Sequence, residues 1–224
     1  MRQRVIALCI ALSCAATAVP AQVSVSIGIG INVPAYPHLV AVPGYPVYYA
    51  SSLRANYFFY DGLYWVFEGD NWYMSSWFNG PWQLVAPMVV PYYVLRVPVR
   101  YYRAPPPYFR GWNRSAPPRW DQHWGPQWEQ QHRGWDQWNR HAVPPPAPPP
   151  TYQRRYYGER YPRAEQQPDL RNRNYRYQPR DEVPRQYYQQ QAPGAGQNPP
   201  QPGKGPPQER GRGKAQDKSP GKPD

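Results

Sequence analysis

The chain has 224 residues, 33 prolines, ten tryptophans and a net charge of +12. Every tryptophan lies between Trp65 and Trp138, whereas from Ala142 onward there are eight tyrosines, no tryptophan or phenylalanine, and 18 of the prolines. That distribution excludes more than one small folded domain, because the proline-rich half cannot bury enough apolar area to offset its ordering entropy.

The first segment, MRQRVIALCIALSCAATAVPAQ, places Arg2 and Arg4 before an apolar run from Val5 to Leu12, with Val19 and Ala21 ahead of Gln22. Charge, short apolar stretch and small residues in that order read as a secretory signal cleaved after Ala21, too short for a membrane span. Cys9 and Cys14 both fall inside it, so the mature chain is expected to carry no thiol and no cysteine-based metal site. A rival reading makes Ala11-Leu12-Ser13-Cys14 a weak lipoprotein box with Cys14 lipidated. No other apolar stretch is long enough to span a bilayer. Loss of Arg2 and Arg4 takes the charge from +12 to +10. Such a balance points to polyanions, and export brings anionic lipid headgroups, acidic polysaccharide and extracellular DNA within reach.

Residues 22–33, QVSVSIGIGINV, alternate strictly between aliphatic and small polar side chains. Period two over that length predicts a strand, either an edge or frayed terminus of this chain or a strand given to a partner sheet. Gly28-Ile29-Gly30 is no phosphate loop, for no third glycine and no helix follow. Residues 34–55 are interrupted by Pro34, Pro37, Pro43 and Pro46 and read as a connector in which His38 is solvated.

Four short strands are predicted next: YFFY from Tyr57, LYWVF after Asp61-Gly62, WYMSS after the turn at Glu68 to Asn71, and PWQLV after Asn79-Gly80. Alternation puts Leu63, Trp65 and Phe67 on one face and Tyr64 and Val66 on the other. Both faces of this meander are therefore apolar and need cover. A candidate cover lies downstream, where Trp120, Trp124, Trp128, Trp135 and Trp138, wound at about 100° per residue, fall within roughly 80° of one another. The main helix is expected from near Pro126 to near Arg140, with Gly134 as a weak point.

Between sheet and helix, Asn71 to Trp120 has no acidic residue but carries Arg96, Arg100, Arg103, Arg110, Arg114 and Arg119. Tyr92, Tyr93, Tyr101, Tyr102, Tyr108, Phe109 and Trp112 interleave with them. Two readings of this stripe coexist: internal cation–π packing, and a surface for a polyanion or headgroup layer. The six arginines with Tyr101 and Tyr102 are the candidate binding set. Trp65, Trp72, Trp77, Trp82, Trp124, Trp128, Trp135 and Trp138 are assigned to scaffold. From Ala142 a stiff PPPAPPP spacer leads into Arg/Tyr patches suited to loose binding of anionic chains, and Lys204, Lys214, Lys218 and Lys222 close the chain.

Reactive constellations do not emerge. His123, His132 and His141 are nine residues apart, which turns successive ones to opposite helix faces, and no carboxylate joins them at metal-ligand spacing. Asp61, Glu68 and Asp70 sit in turns. Ser219 and Lys222 match a serine–lysine spacing but lie in the tail, away from any buried cleft. Asn113-Arg114-Ser115 is a formal glycan acceptor with little meaning after a bacterial-style signal. No catalytic residue, cofactor or metal is expected.

The string ANYFFYDGLYWVFEGDNWYMSSWFNGPWQLV, followed by LRVPVRYYR, YFRGW, APPRW and HWGPQWEQQHRGWDQW, resembles a family of exported bacterial proteins that has no assigned activity. The likeness covers about residues 40–140. It implies a periplasmic or surface location and no reaction. GDNWYMSSWFNG is also similar to the aromatic hairpins of wall-binding modules, without their regular recurrence.

These readings give a mainly β fold with one α-helix: an antiparallel aromatic meander packed by a Trp-rich helix and followed by a long disordered tail. The expected divisions are 1–21 signal, 22–44 alternating strand and connector, 45–97 aromatic β module, 98–140 Arg/aromatic linker and Trp-rich helix, and 141–224 disordered basic tail. The function expected is a non-catalytic envelope protein, periplasmic or on the outer envelope, that binds acidic polysaccharide or anionic lipid. The alternatives are a protein-assembly component using the N-terminal strand or proline-rich tail, and extracellular nucleic-acid binding.

Overall fold

The computed structural model describes residues 26–27 and 30–191. The expected export signal, most of the alternating N-terminal run and residues 192–224 lie outside the described residues. The strands are β1 (Ser26–Ile27), β2 (Leu39–Ala41), β3 (Val47–Ala50), β4 (Asn56–Tyr60), β5 (Leu63–Glu68), β6 (Asn71–Ser75) and β7 (Trp82–Val85). They form one antiparallel sheet in the order β1-β7-β6-β5-β4-β3-β2. The helices are α1 (Tyr92–Leu95), α2 (Trp120–Gln131), α3 (Gln167–Asn174) and α4 (Glu182–Gln190), with several 3-10 turns among them.

Tight turns set the register. Asp61 and Gly62 have φ of 51° and 91°, and Gly69 and Asp70 have 55° and 65°. Two successive positive φ values give the hairpin twist that matches flanking strands, and Asp and Gly tolerate it best. Phe58 is thereby set opposite Trp65, and Trp65 opposite Met74. The expected meander is present, but residues 34–55 are not a mere connector, because they hold β2 and β3. Pro43 and Gly44 occupy the turn between these strands, where Tyr45 N–H donates to the Val42 carbonyl at 3.0 Å and Gly44 has φ of 79°. The prolines thus stand outside the ladder they would have broken. Of the alternating run 22–33, Ser26 and Ile27 pair with Gln83 and Trp82 of the chain's own β7, while residues 30–33 are not strand.

The sheet is buried on both faces. Phe58, Tyr60, Leu63, Trp65, Phe67 and Trp72 line the first, where Val94 and Leu95 of α1, Phe109, and Trp120 and Trp128 of α2 cover them. The Trp120 ring lies 5.2 Å from Phe67 and 6.1 Å from Trp72, both edge-on. The helix differs from expectation in extent. It starts at Trp120, breaks at Gly125 (φ 81°, ψ −178°), resumes at Pro126 and ends at Gln131. Pro126 suits a first helical turn, and Gly134 at φ 74° lies in a reversal that prevents continuation to Arg140. Trp135 consequently reaches the core from a turn rather than from the helix.

The second face, lined by Tyr57, Phe59, Tyr64, Val66, Phe78 and Trp82, is covered by the segment expected to be disordered. This corrects the tail boundary: residues 141–191 are folded, with Ala147, Tyr152, Tyr161, Tyr175 and Tyr177 on this second face and Val183, Tyr187 and Tyr188 of α4 in the first-face cluster, so the chain is a mixture of sheet and helical turns rather than mainly β with one helix. The proline spacer lies across this face with a three-residue rhythm in which Pro144 is half-buried, Ala147 and Pro150 are buried, and Pro145 and Pro148 are exposed. Polyproline II geometry, with three residues per turn, presents one edge in that way. Its exposed carbonyls are bonded at 2.7 Å by the Tyr175 hydroxyl (Pro148) and at 2.8 Å by Arg180 Nη2 (Pro145).

Two buried polar groups hold this strap. Gln153 is 1% exposed, and its Oε1 accepts from the Tyr64 hydroxyl at 3.0 Å and Phe78 N–H at 3.3 Å. Its Nε2 donates to the Ser76 carbonyl at 3.0 Å and the Tyr152 hydroxyl at 3.2 Å. Asp61, 2% exposed, accepts from the Tyr177 hydroxyl at 2.6 Å and from the N–H groups of Arg180 and Asp181 at 2.8 Å. Composition concealed this cover because apolar content is low, and tyrosine rings supply the area while their hydroxyls find partners.

Gln153→Ala is expected to lower the unfolding free energy by about 2–4 kcal/mol in urea, since three buried partners and the half-buried Tyr152 hydroxyl lose their mate. A midpoint unchanged from the parent protein would show that residues 141–191 do not fold onto the sheet. Alkaline behaviour gives a second check. Burial pushes the phenols of Tyr36 and Tyr152 up from 10.0 to about 12. A folded-state pKa above the unfolded one means stability that is full below pH 10 and declines as pH rises toward about 12. Phenolate absorbance should therefore appear late and together with loss of structure, whereas a single non-cooperative titration centred at the free-phenol value would contradict the buried strap.

Candidate functional site

The arginine-rich segment is arranged by a few anchors. Val99 N–H donates to the Ala116 carbonyl and Arg100 N–H to the Arg114 carbonyl, each at 3.0 Å, so residues 100–114 form a closed loop. Buried Asn56 of β4 ties that loop to the sheet, donating to the Ala104 carbonyl at 2.6 Å and accepting from Ala104 N–H at 2.9 Å. On the far side the Tyr108 hydroxyl donates to Asp70 in the β5–β6 turn at 2.7 Å, and the Trp120 indole N–H donates to the Leu95 carbonyl at 3.0 Å. Phe109 is buried against Tyr102 and Trp120, and the half-buried Trp112 stacks on it with centroids 4.5 Å apart.

The loop encloses an open cleft of about 560 Å³. Its walls are Val99, Tyr102, Phe109, Trp112 and the run Pro105 to Pro107, and its charged groups are Arg100, Arg110 and Arg114. No carboxylate lines it. Residues 26–191 carry 18 arginines and 11 carboxylates, yet the one ion pair among the described residues is His123 with Asp70 at 2.7 Å. These three exposed arginines therefore have no carboxylate partner and leave a net positive charge beside the aromatic wall of the cleft.

The predicted set divides three ways. Arg100, Arg110 and Arg114 meet at the cleft. Arg103 and Arg119 are exposed outside its lining, and Tyr101 is half-buried, its ring 5.0 Å from that of Tyr49 and 5.0 Å from the Arg100 guanidinium carbon. Arg96 and Tyr102 depart from the expected surface role because both are buried. Arg96, 6% exposed, donates through Nε to the Trp135 carbonyl and through Nη2 to the Gln137 carbonyl at 3.3 Å, with its guanidinium carbon 4.7 Å from the Trp138 ring and 5.2 Å from Tyr92. Burial lowers its pKa, partly offset by Tyr93, Tyr92 and Asp136. It is a clamp joining α1 to the chain beyond α2. Tyr102 is 4% exposed, and desolvation holds its phenol well above the ordinary value.

The eight scaffold tryptophans are buried except Trp124 and Trp138, which are half-buried. Sequence reasoning missed the proline wall and Val99. The RAPPPYFRGW string carried a signal for it, since consecutive prolines stiffen a loop, but the Arg100–Arg114 closure that makes the loop a cleft leaves no local mark.

Elsewhere, the His123 ring stacks on Tyr108 at 4.1 Å and meets Asp70, with no serine or threonine hydrogen-bonded to it among the described residues. Among those residues no three His, Cys, Asp or Glu side chains gather in a metal-binding group, and no helix is long and apolar enough to cross a membrane. No family model, no curated protein and no solved structure matches the chain.

The division of arginines is open to measurement. Arg96→Ala should cost about 2–4 kcal/mol of stability, through lost charge-assisted hydrogen bonds and ring contacts, whereas Arg110→Ala should stay within about 0.5 kcal/mol. Equal effects in urea unfolding would remove the distinction between clamp and cleft.

Proposed function

We propose that the protein is a non-catalytic, exported envelope protein that binds acidic envelope polysaccharide or anionic lipid headgroups at the cleft of the 100–114 loop. The observation that carries this reading is the set of three guanidiniums without ion-pair partners around a walled aromatic cleft. Arginine suits the task because its planar fork bonds carboxylate and phosphate oxygens in pairs and stacks on aromatic rings. The exposed Arg103 and Arg119, in the same acid-free stretch, would add positive charge near the cleft and help steer long anionic chains to it. The secretory pattern of residues 1–21 and the family resemblance support an envelope location. Assembly through the proline-rich segment is the weaker reading, for in this chain that segment already lies on the chain's own sheet.

Binding to an acidic polysaccharide should weaken steeply with salt, because displaced counterions supply much of the affinity. Replacing Arg100, Arg110 and Arg114 together by Gln should lower affinity at least tenfold and flatten the salt dependence, with the urea midpoint unchanged. Affinity flat in salt, or indifferent to the triple substitution, would count against the cleft. DNA of equal charge density serves as the comparison, and tighter binding to DNA would move the assignment to nucleic acid.

A further inference from the structure

We propose that the cleft is a subsite for a sugar ring bearing a phosphate or carboxylate, with Arg100 and Arg114 taking the anionic group and Trp112 the ring face. This rests on the polyanion reading and narrows it. Diffuse attraction to a charged chain needs exposed arginines and no cavity, whereas here the positive charge borders a walled space of about 560 Å³, within the usual range for small-ligand sites.

The Arg100–Arg114 main-chain bond of 3.0 Å makes the two guanidiniums emerge from neighbouring backbone positions. Two like charges carried on paired backbone positions with no carboxylate between them can share a single anion with several oxygens.

The opposite requirement, a flat and partly apolar partner, comes from the walls. Trp112 is backed by Phe109 with 26° between ring planes, and the Phe109 ring is wedged in turn against Trp120 at 5.6 Å. An indole braced in this way is a stiff platform for the C–H face of a sugar. Three consecutive prolines, with their φ held by the pyrrolidine rings, make the facing wall stiff as well, and Asn56 fixes the residue that precedes them. Tyr102 adds a further aromatic residue to the lining of the cleft.

The experiment is a binding titration of the full chain, by calorimetry and tryptophan fluorescence, with glucose 6-phosphate, a galacturonate oligomer, inorganic phosphate, inorganic polyphosphate and neutral glucose. The two anionic sugars should bind at least about tenfold more tightly than inorganic phosphate or glucose. Arg114→Gln, an exposed position where folding is not at stake, should remove most of that binding. Trp112→Leu should reduce the preference for the sugar over inorganic phosphate about tenfold while leaving polyphosphate binding and its salt dependence in place. Equal affinity for inorganic phosphate and sugar phosphate, or Trp112→Leu without effect on the preference, would overturn the subsite and leave the polyanion reading standing. Failure of polyphosphate and galacturonate alike to bind would overturn both. Vesicles carrying a phosphorylated-sugar lipid, set against phosphatidylglycerol vesicles, distinguish a lipid-borne sugar from a free polymer, and stronger binding to phosphatidylglycerol would overturn the subsite.

Discussion

Tyr57 to Tyr60 and Leu63 to Phe67 point aromatic or aliphatic side chains to both sides of the sheet, and every one of them is buried. Nearly all else in the molecule answers that condition. Leaving either face in water would expose several large rings at once, and each ring's burial is worth a few kcal/mol. The sheet cannot satisfy the condition through its own strands. The chain therefore returns twice, with residues 91–138 over one face and residues 147–177 over the other, after which α4 adds Val183, Tyr187 and Tyr188 to the first cluster.

The two covers use different chemistry. Over the first face the rings of Trp120, Trp124 and Trp128 follow one another along α2, Trp120 and Trp124 being stacked at 4.4 Å. Over the second, a strap of Pro, Tyr, Gln and Arg contributes little aliphatic area. It is oriented by hydrogen bonds to Asp61 and Gln153, and buried polar groups of this kind hold a segment in one register because a shifted one would leave them bare. Neither cover uses arginine–carboxylate pairs, which leaves the guanidiniums to carbonyls, ring faces and solvent. The positive cleft thus follows from how the first cover closes: the loop between α1 and α2 must return to Trp120, and its arginines are left at the rim.

Where the sequence is locally dictated, the expected and observed structures coincide. Asp61-Gly62 and the turn at Glu68 to Asn71 are hairpin signals whose mechanism is steric, and β4 to β7 follow from them. The prolines of residues 34–55 masked β2 and β3, because they read as a connector although Pro43 stands in the turn between the strands. In the candidate site, Arg100, Arg110 and Arg114 stood out by charge, while Arg96 looked identical to them and is buried, because its fate was set by the carbonyls of Trp135 and Gln137 about forty residues away. Tyr102 was likewise indistinguishable from Tyr101 until packing separated them.

The linear chain by itself determined the tight turns, the two-faced aromatic meander, the need for cover and the acid-free arginine stretch, since each depends on backbone sterics, side-chain period or charge count within a few residues. Tertiary structure alone decided which segment lies on which face, that the proline and tyrosine residues of 144–191 are folded, and which arginines line a cleft. Those outcomes rest on hydrogen bonds and ring contacts between residues tens to more than a hundred positions apart, such as Asp61 with Asp181. Composition averages over such pairs and therefore holds no record of them.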